Sequence, residues 1–265
     1  MMQKIHATAI VSDLAKIGLG VEIGAFSIIG DNVTIGDGTI IKSHVVIDGD
    51  AVIGKNNTIF PFATIGLEPQ DLKFKGERSK VVIGDNNIIR EHVTIHLGTQ
   101  DGGMITRIGN DCLFMVGSHV AHDCSIGNHV VLANNATLAG HVTVDDNVII
   151  GGLSAVHQFV RIGKGVMIGG MSGVEHDVIP YGLVMGERAS LAGLNLVGMK
   201  RSKLDREDIN DLRHFFKEIS QKDLNSFEQR VEISAQKFDS TVVKEVLEFV
   251  RLKGSRAFCQ IKEAA

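Results

Sequence analysis

Four histidines fall within the stretch "SHVAHDCSIGNHVVLANNATLAGHV", residues 118–142: His119, His122, His129 and His141. An imidazole near neutral pH accepts a proton, returns one, or binds a transition metal. Three readings therefore compete. In the first, His122 is a general base oriented by a carboxylate, Asp123 being the nearest in sequence, and a backbone N–H holds an oxyanion. Such a pair suits acyl transfer to a hydroxyl. In the second, His119, His122 and His141 bind zinc as a three-histidine hydratase site. Against it, ligands must converge, whereas neighbouring strand side chains alternate in direction and the 119/122 spacing is odd. In the third, the histidines are structural groups on the outside of a scaffold or binding protein.

The elements that must position them are legible as a repeat. The 265 residues include 30 glycines but only three prolines and one tyrosine, an unusual balance that calls for a search at fixed period. An aliphatic residue stands at every sixth position from Ile5 through Val11, Ile17 and Ile23 to Ile65, again at Ile83, Ile89 and Ile95, and, after a phase shift, from Ile108 through Phe114 and Val120 to Val174. Two places before it sits something small or β-branched, as in "VTIG", "AVIG" and "ATIG". That is short strand alternation. Pairs such as Asn56-Asn57, Asn86-Asn87 and Asp146-Asn147 recur between strands, where a sharp corner needs a left-handed backbone. Strand, corner, strand is the hexapeptide signature of a parallel β-helix.

The pattern breaks near 66–82, "GLEPQDLKFKGERSKVV", and near 96–107, "HLGTQDGGMITR". Both read as loops extruded from a rigid stack, where binding groups gather. Beyond about residue 185 the period ends, and "DREDINDLRHFFKEI" places Ile209, Leu212, Phe215, Phe216 and Ile219 on one helical face with Asp205 as cap. Two more helices are expected around 227–238 and 242–250. The expected division is a β-helix over 1–190 and a small α-helical domain over 191–265. Two loops and a second domain speak against a bare scaffold.

Composition excludes other classes. Hydrophobic residues make up 44% of the chain and the net charge is −4, with no basic, aromatic-laced stretch for nucleic acid. No run of about 18 apolar residues could span a membrane, and the opening residues lack a secretory apolar core. Cys112, Cys124 and Cys259 form no CxxC pair, which argues for a reducing, cytoplasmic setting. From Lys200 onward Lys and Arg number 14 against 12 acidic residues, a relative excess that suits an acidic partner.

The repeat resembles that of hexapeptide β-helices, in which three hexapeptides form one 18-residue triangular coil and coils stack about 4.8 Å apart. Residues i and i+18 then become neighbours. His122 lies over Gly140 and Gly140 over Gln158, Asp123 over His141, and Ala139 over His157. A related β-helix, that of the gamma carbonic anhydrases, carries the three-histidine zinc site of the second reading.

"IHATAIV", "PQDLKF", "HVAHDCSIGN", "LANNATLAGHV", "GGLSAVHQF", "GGMSGV" and "GLNLVGMKR" together resemble the UDP-N-acetylglucosamine O-acyltransferases of lipid A biosynthesis, over residues 3 to about 258. This resemblance implies an all-β left-handed parallel β-helix followed by a small α-helical C-terminal domain. It also implies a homotrimer with sites between neighbouring prisms, and transfer of a 3-hydroxyacyl chain from acyl carrier protein to the 3-hydroxyl of UDP-N-acetylglucosamine. No cofactor, metal or covalent acyl-enzyme is needed. By motif, His122 is the base, Asp123 orients it and Gly140 supplies the oxyanion donor. His141, His157 and Gln158 line the cleft, and His96 and His119 lie near the sugar. Gln70, Asp71 and Lys73 reach substrate from the first loop. Asn195 and Arg201 match the family's uridine and phosphate contacts, although Val197 stands where many members carry glutamate. Gly170, beside Met171, falls where acyl length is set and leaves the groove open to longer chains. Arg161 and Lys164 are expected to grip the carrier protein.

Overall fold

The computed structural model describes residues 3–221 and 225–262. Among them, 28 strands, most of two residues, form sheets of 11, 9 and 8 strands. Successive strands visit the first, second and third sheet in turn, so each pairs in parallel with the strand one coil on: Lys4 with Glu22, Glu22 with Ile40. The result is a left-handed parallel β-helix of triangular section.

The six-period is the inward face of this prism. Every sixth residue from Ile23 to Ile65 is at most 2% exposed, each removing roughly 1.5–3 kcal/mol worth of apolar surface from water. Ile5, Val11 and Ile17 carry the same pattern but are not buried, because none of the described residues stacks beneath the first coil. There Gln3 donates its side-chain amide to the Ile17 carbonyl at 2.8 Å. Corners take the left-handed backbone expected: Asn56, Asn86 and Asn147 have φ of 55°, 60° and 61°. So do bulky residues, including Phe26, His44, Phe62, His141 and Phe159, at a cost of roughly 1–2 kcal/mol each. A hydrogen bond to the coil below offsets that cost, as from the His141 N–H to the His122 carbonyl at 3.0 Å.

Both loops are narrower than the sequence suggested. Lys80–Ile83 is a strand of the third sheet, with Val81 fully buried, so the first loop is 68–79. The second is 97–104, between Thr94–His96 and Ile105–Ile108, with a short 3-10 helix at Gln100–Gly102. Register explains the phase shift: Ile59 pairs with Ile89, twelve residues beyond the usual 18, and Ile89 with Phe114, seven beyond. Twelve keeps a six-period in phase; seven advances it by one.

The last strand, Ser190–Leu194, pairs antiparallel with Gly182–Met185 and so runs past the expected boundary at 190. Helices α1 (Leu196–Arg201), α2 (Arg206–Ile219), α3 (Phe227–Ala235) and α4 (Thr241–Arg251) follow. In α2, Ile209, Leu212, Phe215 and Ile219 are buried as expected, Phe216 only partly. Asp205 takes the N-cap position of α2 as expected, its carbonyl accepting from the Ile209 N–H at 3.1 Å, although its side chain makes no capping hydrogen bond; Asp208 in the first turn accepts from Ser240 at 2.7 Å. The tail returns to the prism, where the Cys259 N–H donates to the Asp177 carbonyl at 2.8 Å.

Candidate active site

The His122–Asp123 pair sits at the corner between the second and third sheets, Asp123 holding the left-handed φ of 58°. His122 Nδ1 lies 2.8 Å from Asp123 Oδ2, and both residues are buried. A carboxylate only accepts here, so Nδ1 carries the proton and Nε2 presents a lone pair. The ring lies against Gly140 one coil on: a Cβ there would meet His122 Cε1 at 2.4 Å and Nε2 at 2.6 Å. Among the described residues, the Gly140 N–H donates to no acceptor. His141 stands edge-on to His122, centroids 4.9 Å apart, and stacks on Phe159 at 4.4 Å. The 18-residue columns are realised here.

Burial dominates the electrostatics. It pushes His96 down to about 4, with help from the charges of His119 and His122. Burial likewise lowers His119, and lowers His141 against the pull of Asp123. These three imidazoles are thus neutral at neutral pH. For Asp123, burial pulls upward, but hydrogen bonds from His122 and Thr99 outweigh it and hold the carboxyl below its ordinary value. His96 packs edge-on to His119 at 4.9 Å, its Nδ1 buried without a partner among the described residues, and His119 Nδ1 bonds Thr94 Oγ1 at 2.6 Å.

The three-histidine zinc set does not form. His119 points to Thr94, and the potential metal donors that converge are His122, Asp123 and His141. Asp123 already accepts from His122 and three times from Thr99, which leaves its oxygens poorly placed to ligate a cation.

The loops flank the dyad. Asp71 and Asp101 are near enough to act on His141 electrostatically, and Lys73 Nζ lies 3.6 Å from Asp101 Oδ2 in an exposed pair. Gln70 is exposed. Along the same corner, His157 and Gln158 are exposed and both engaged by Arg256: its Nη2 donates to His157 Nδ1 at 2.8 Å and its Nε to the Gln158 carbonyl at 2.9 Å. Sequence reading missed Arg256, which is 99 residues from its partner, and Thr99, which carries no motif.

Other expected residues are placed elsewhere. Asn195 caps α1, accepting from the Gly198 N–H at 2.9 Å and donating to the Gly165 carbonyl at 2.9 Å. Its amide is therefore spent within the chain rather than free for a base. It lines a groove of about 880 Å³ with exposed Arg201 and Val197, along the first sheet and the corner of Gly165. Gly170 and Met171 lie on the remaining corner, Met171 73% exposed. The dyad, Arg201 and Gly170 thus occupy three different edges of one prism. Arg161 and Lys164 are also not a free rim. Arg161 Nε bonds Asp177 at 2.7 Å, and its guanidinium lies over Phe249. Lys164 pairs with Glu245 of α4 at 2.6 Å. Both clasp the helical unit to the prism.

A hexapeptide prism with an imidazole–carboxylate pair at one corner is the architecture of a transferase. Residues 14–49 and 105–140 match the family described as bacterial transferase hexapeptide (six repeats). Residues 177–259 match UDP N-acetylglucosamine O-acyltransferase, domain 2. The chain is 50% identical over 260 residues to the acyl-[acyl-carrier-protein]–UDP-N-acetylglucosamine O-acyltransferase of Rickettsia prowazekii (strain Madrid E), covering 98% of each. It is 51% identical over 200 residues, 76% of each, to that of Paracoccus denitrificans (strain Pd 1222). A crystal structure of UDP-N-acetylglucosamine acyltransferase superposes with TM-score 0.94 at 44% identity, covering 98% of this chain and 100% of that one. The Arabidopsis enzyme superposes with TM-score 0.86 at 35% identity, covering 97% and 100%. The chain belongs to the UDP-N-acetylglucosamine O-acyltransferase family.

Proposed function

We propose that this protein transfers a 3-hydroxyacyl chain from acyl carrier protein to the 3-hydroxyl of UDP-N-acetylglucosamine, the opening step of lipid A biosynthesis. The observation that carries this is the His122–Asp123 dyad set against the bare backbone of Gly140. His122 Nε2 takes the proton of the sugar hydroxyl as its oxygen attacks the thioester carbonyl. The Gly140 N–H, without an acceptor among the described residues, faces the developing oxyanion. Collapse expels the carrier thiolate, which takes the proton back from His122. Asp123 keeps the proton on Nδ1 throughout and stabilises the imidazolium.

No covalent acyl-enzyme is required. The cysteines are buried, and burial pushes Cys112 up to about 11, Cys124 to about 12 and Cys259 to about 11, so none is a thiolate nucleophile at neutral pH. No metal is required either, since the base is activated by a carboxylate already saturated with donors. Three buried, free cysteines accord with action in the cytoplasm. No described helix is long and apolar enough to cross a membrane.

The site is completed between copies of the chain. Arg201, Gly170 and His122 cannot meet on one prism, because they lie on different edges. A second edge also exposes a stack of Phe26, His44, Phe62 and His92 rings at 5.1 Å spacing, Phe26 58% and Phe62 51% exposed, surface that a homotrimer would cover. Light scattering should give three chains per particle; a monomer would strand Arg201 and overturn the shared-site reading.

Incubation with UDP-N-acetylglucosamine and a series of 3-hydroxyacyl carrier proteins, read by product mass, tests the reaction. Acylated sugar nucleotide is expected, and its absence across the series would refute the proposal. Gly170→Met should move the preferred chain shorter. A Cβ at Gly170 has the Gly152 carbonyl oxygen at 3.3 Å and the Gly152 nitrogen at 3.9 Å as its nearest atoms, so a side chain enters once the neighbouring coil gives by a fraction of an ångström. An unchanged chain profile would remove Gly170 from length selection.

A further inference from the structure

We infer that Thr99, carried by the second loop, is the positioning residue that fixes Asp123 and through it the catalytic imidazole; this rests on the acyl-transfer reading above. The Asp123 side chain is 1% exposed, and among the described residues no lysine or arginine pairs with it. A buried charge without a cation must be held by hydrogen-bond donors. Besides His122, Thr99 supplies them all. Its N–H reaches Oδ1 at 2.9 Å and Oδ2 at 3.0 Å, and its hydroxyl donates to Oδ2 at 2.6 Å. Oδ2 is also the oxygen that accepts from His122 Nδ1. The hydroxyl therefore fixes the carboxylate plane and selects which oxygen faces the ring.

The loop is shaped for this contact. Thr99 is 2% exposed, and its carbonyl accepts from the N–H groups of Gly102 at 3.1 Å and Met104 at 2.9 Å, closing the loop on itself. At Gly102 a Cβ would sit 1.9 Å from Asp123 Cγ, so the loop lies on the carboxylate as closely as glycine permits. The seven residues that interrupt the hexapeptide register are the ones that deliver Thr99.

Thr99→Val keeps the shape and the backbone N–H and removes only the hydroxyl. The expected result is a fall in kcat of about 10–100-fold, the scale of a small misplacement of a catalytic group, with KM for the sugar nucleotide within about threefold. With one donor fewer, the carboxylate holds the imidazole proton harder, so the acid limb of the pH–rate profile moves to higher pH. Thr99→Ser should restore both. A variant with wild-type kcat and an unmoved acid limb would overturn the inference, as would equal losses in the serine and valine proteins. The pH dependence of His122 modification by diethyl pyrocarbonate, followed by peptide mass, needs no substrate. It should shift upward in Thr99→Val even if the wild-type protein acylates no sugar, an outcome that would defeat the reaction assignment and not this one; no shift would defeat the role of Thr99.

Discussion

His122→Ala lowers turnover by about 10³-fold, within the range a positioned general base contributes, while the prism remains folded. The ring fills no hydrophobic core: it is packed against the Gly140 backbone and the edge of His141. Its removal takes away the only imidazole among the described residues bonded directly to a carboxylate at hydrogen-bond distance. The neighbouring histidines cannot substitute. His141 Nδ1 is 3.9 Å from Asp123, and His119 is committed to Thr94. Initial rates with a fixed acyl carrier protein, alongside thermal melting and particle mass, provide the check. Turnover within tenfold of wild type would take His122 out of the reaction and leave the proton without an acceptor.

Gly140→Ala has an effect of similar size by a different route. The added Cβ would stand 2.4 Å from His122 Cε1, a separation no pair of carbons tolerates, so the imidazole must swing away. A displacement on that scale costs about 10²-fold or more in rate. Comparable kcat/KM for Gly140→Ala and wild type would show that the base does not work from its place over this backbone, and both the base and oxyanion assignments would fall.

The fold was legible because a hexapeptide prism repeats one local instruction. Ile23, Ile41 and Ile59 stack because each is 18 residues from the last, and the column that joins His122 to Gly140 follows from the same count. The dyad was legible because its members are adjacent. What stayed hidden lies where the count does not apply. The loop limits were misjudged because an irregular stretch does not say where the chain re-enters the coil. Thr99 comes from outside the register, and Arg256 from the far end of the chain. Asn195 looked free because nothing in "GLNLVGMKR" reveals that its amide is needed to start a short helix. Arg161 and Lys164 looked like rim charges because the partners that absorb them, Asp177 and Glu245, are set by how α4 docks.

The two ends of the prism differ, and their resistance to heat should differ with them. One end is closed by the helical unit and laced by the returning tail; the other leaves Ile5, Ile10, Leu14 and Leu19 between 43% and 70% exposed. In a solenoid each coil is held only by its neighbours, so fraying has a single free starting point and proceeds like a zip opened from one side. Five strands precede His119–Val120 in its sheet. The chemistry is therefore lodged five coils from the loose end, where the first turns can open and close without disturbing the base.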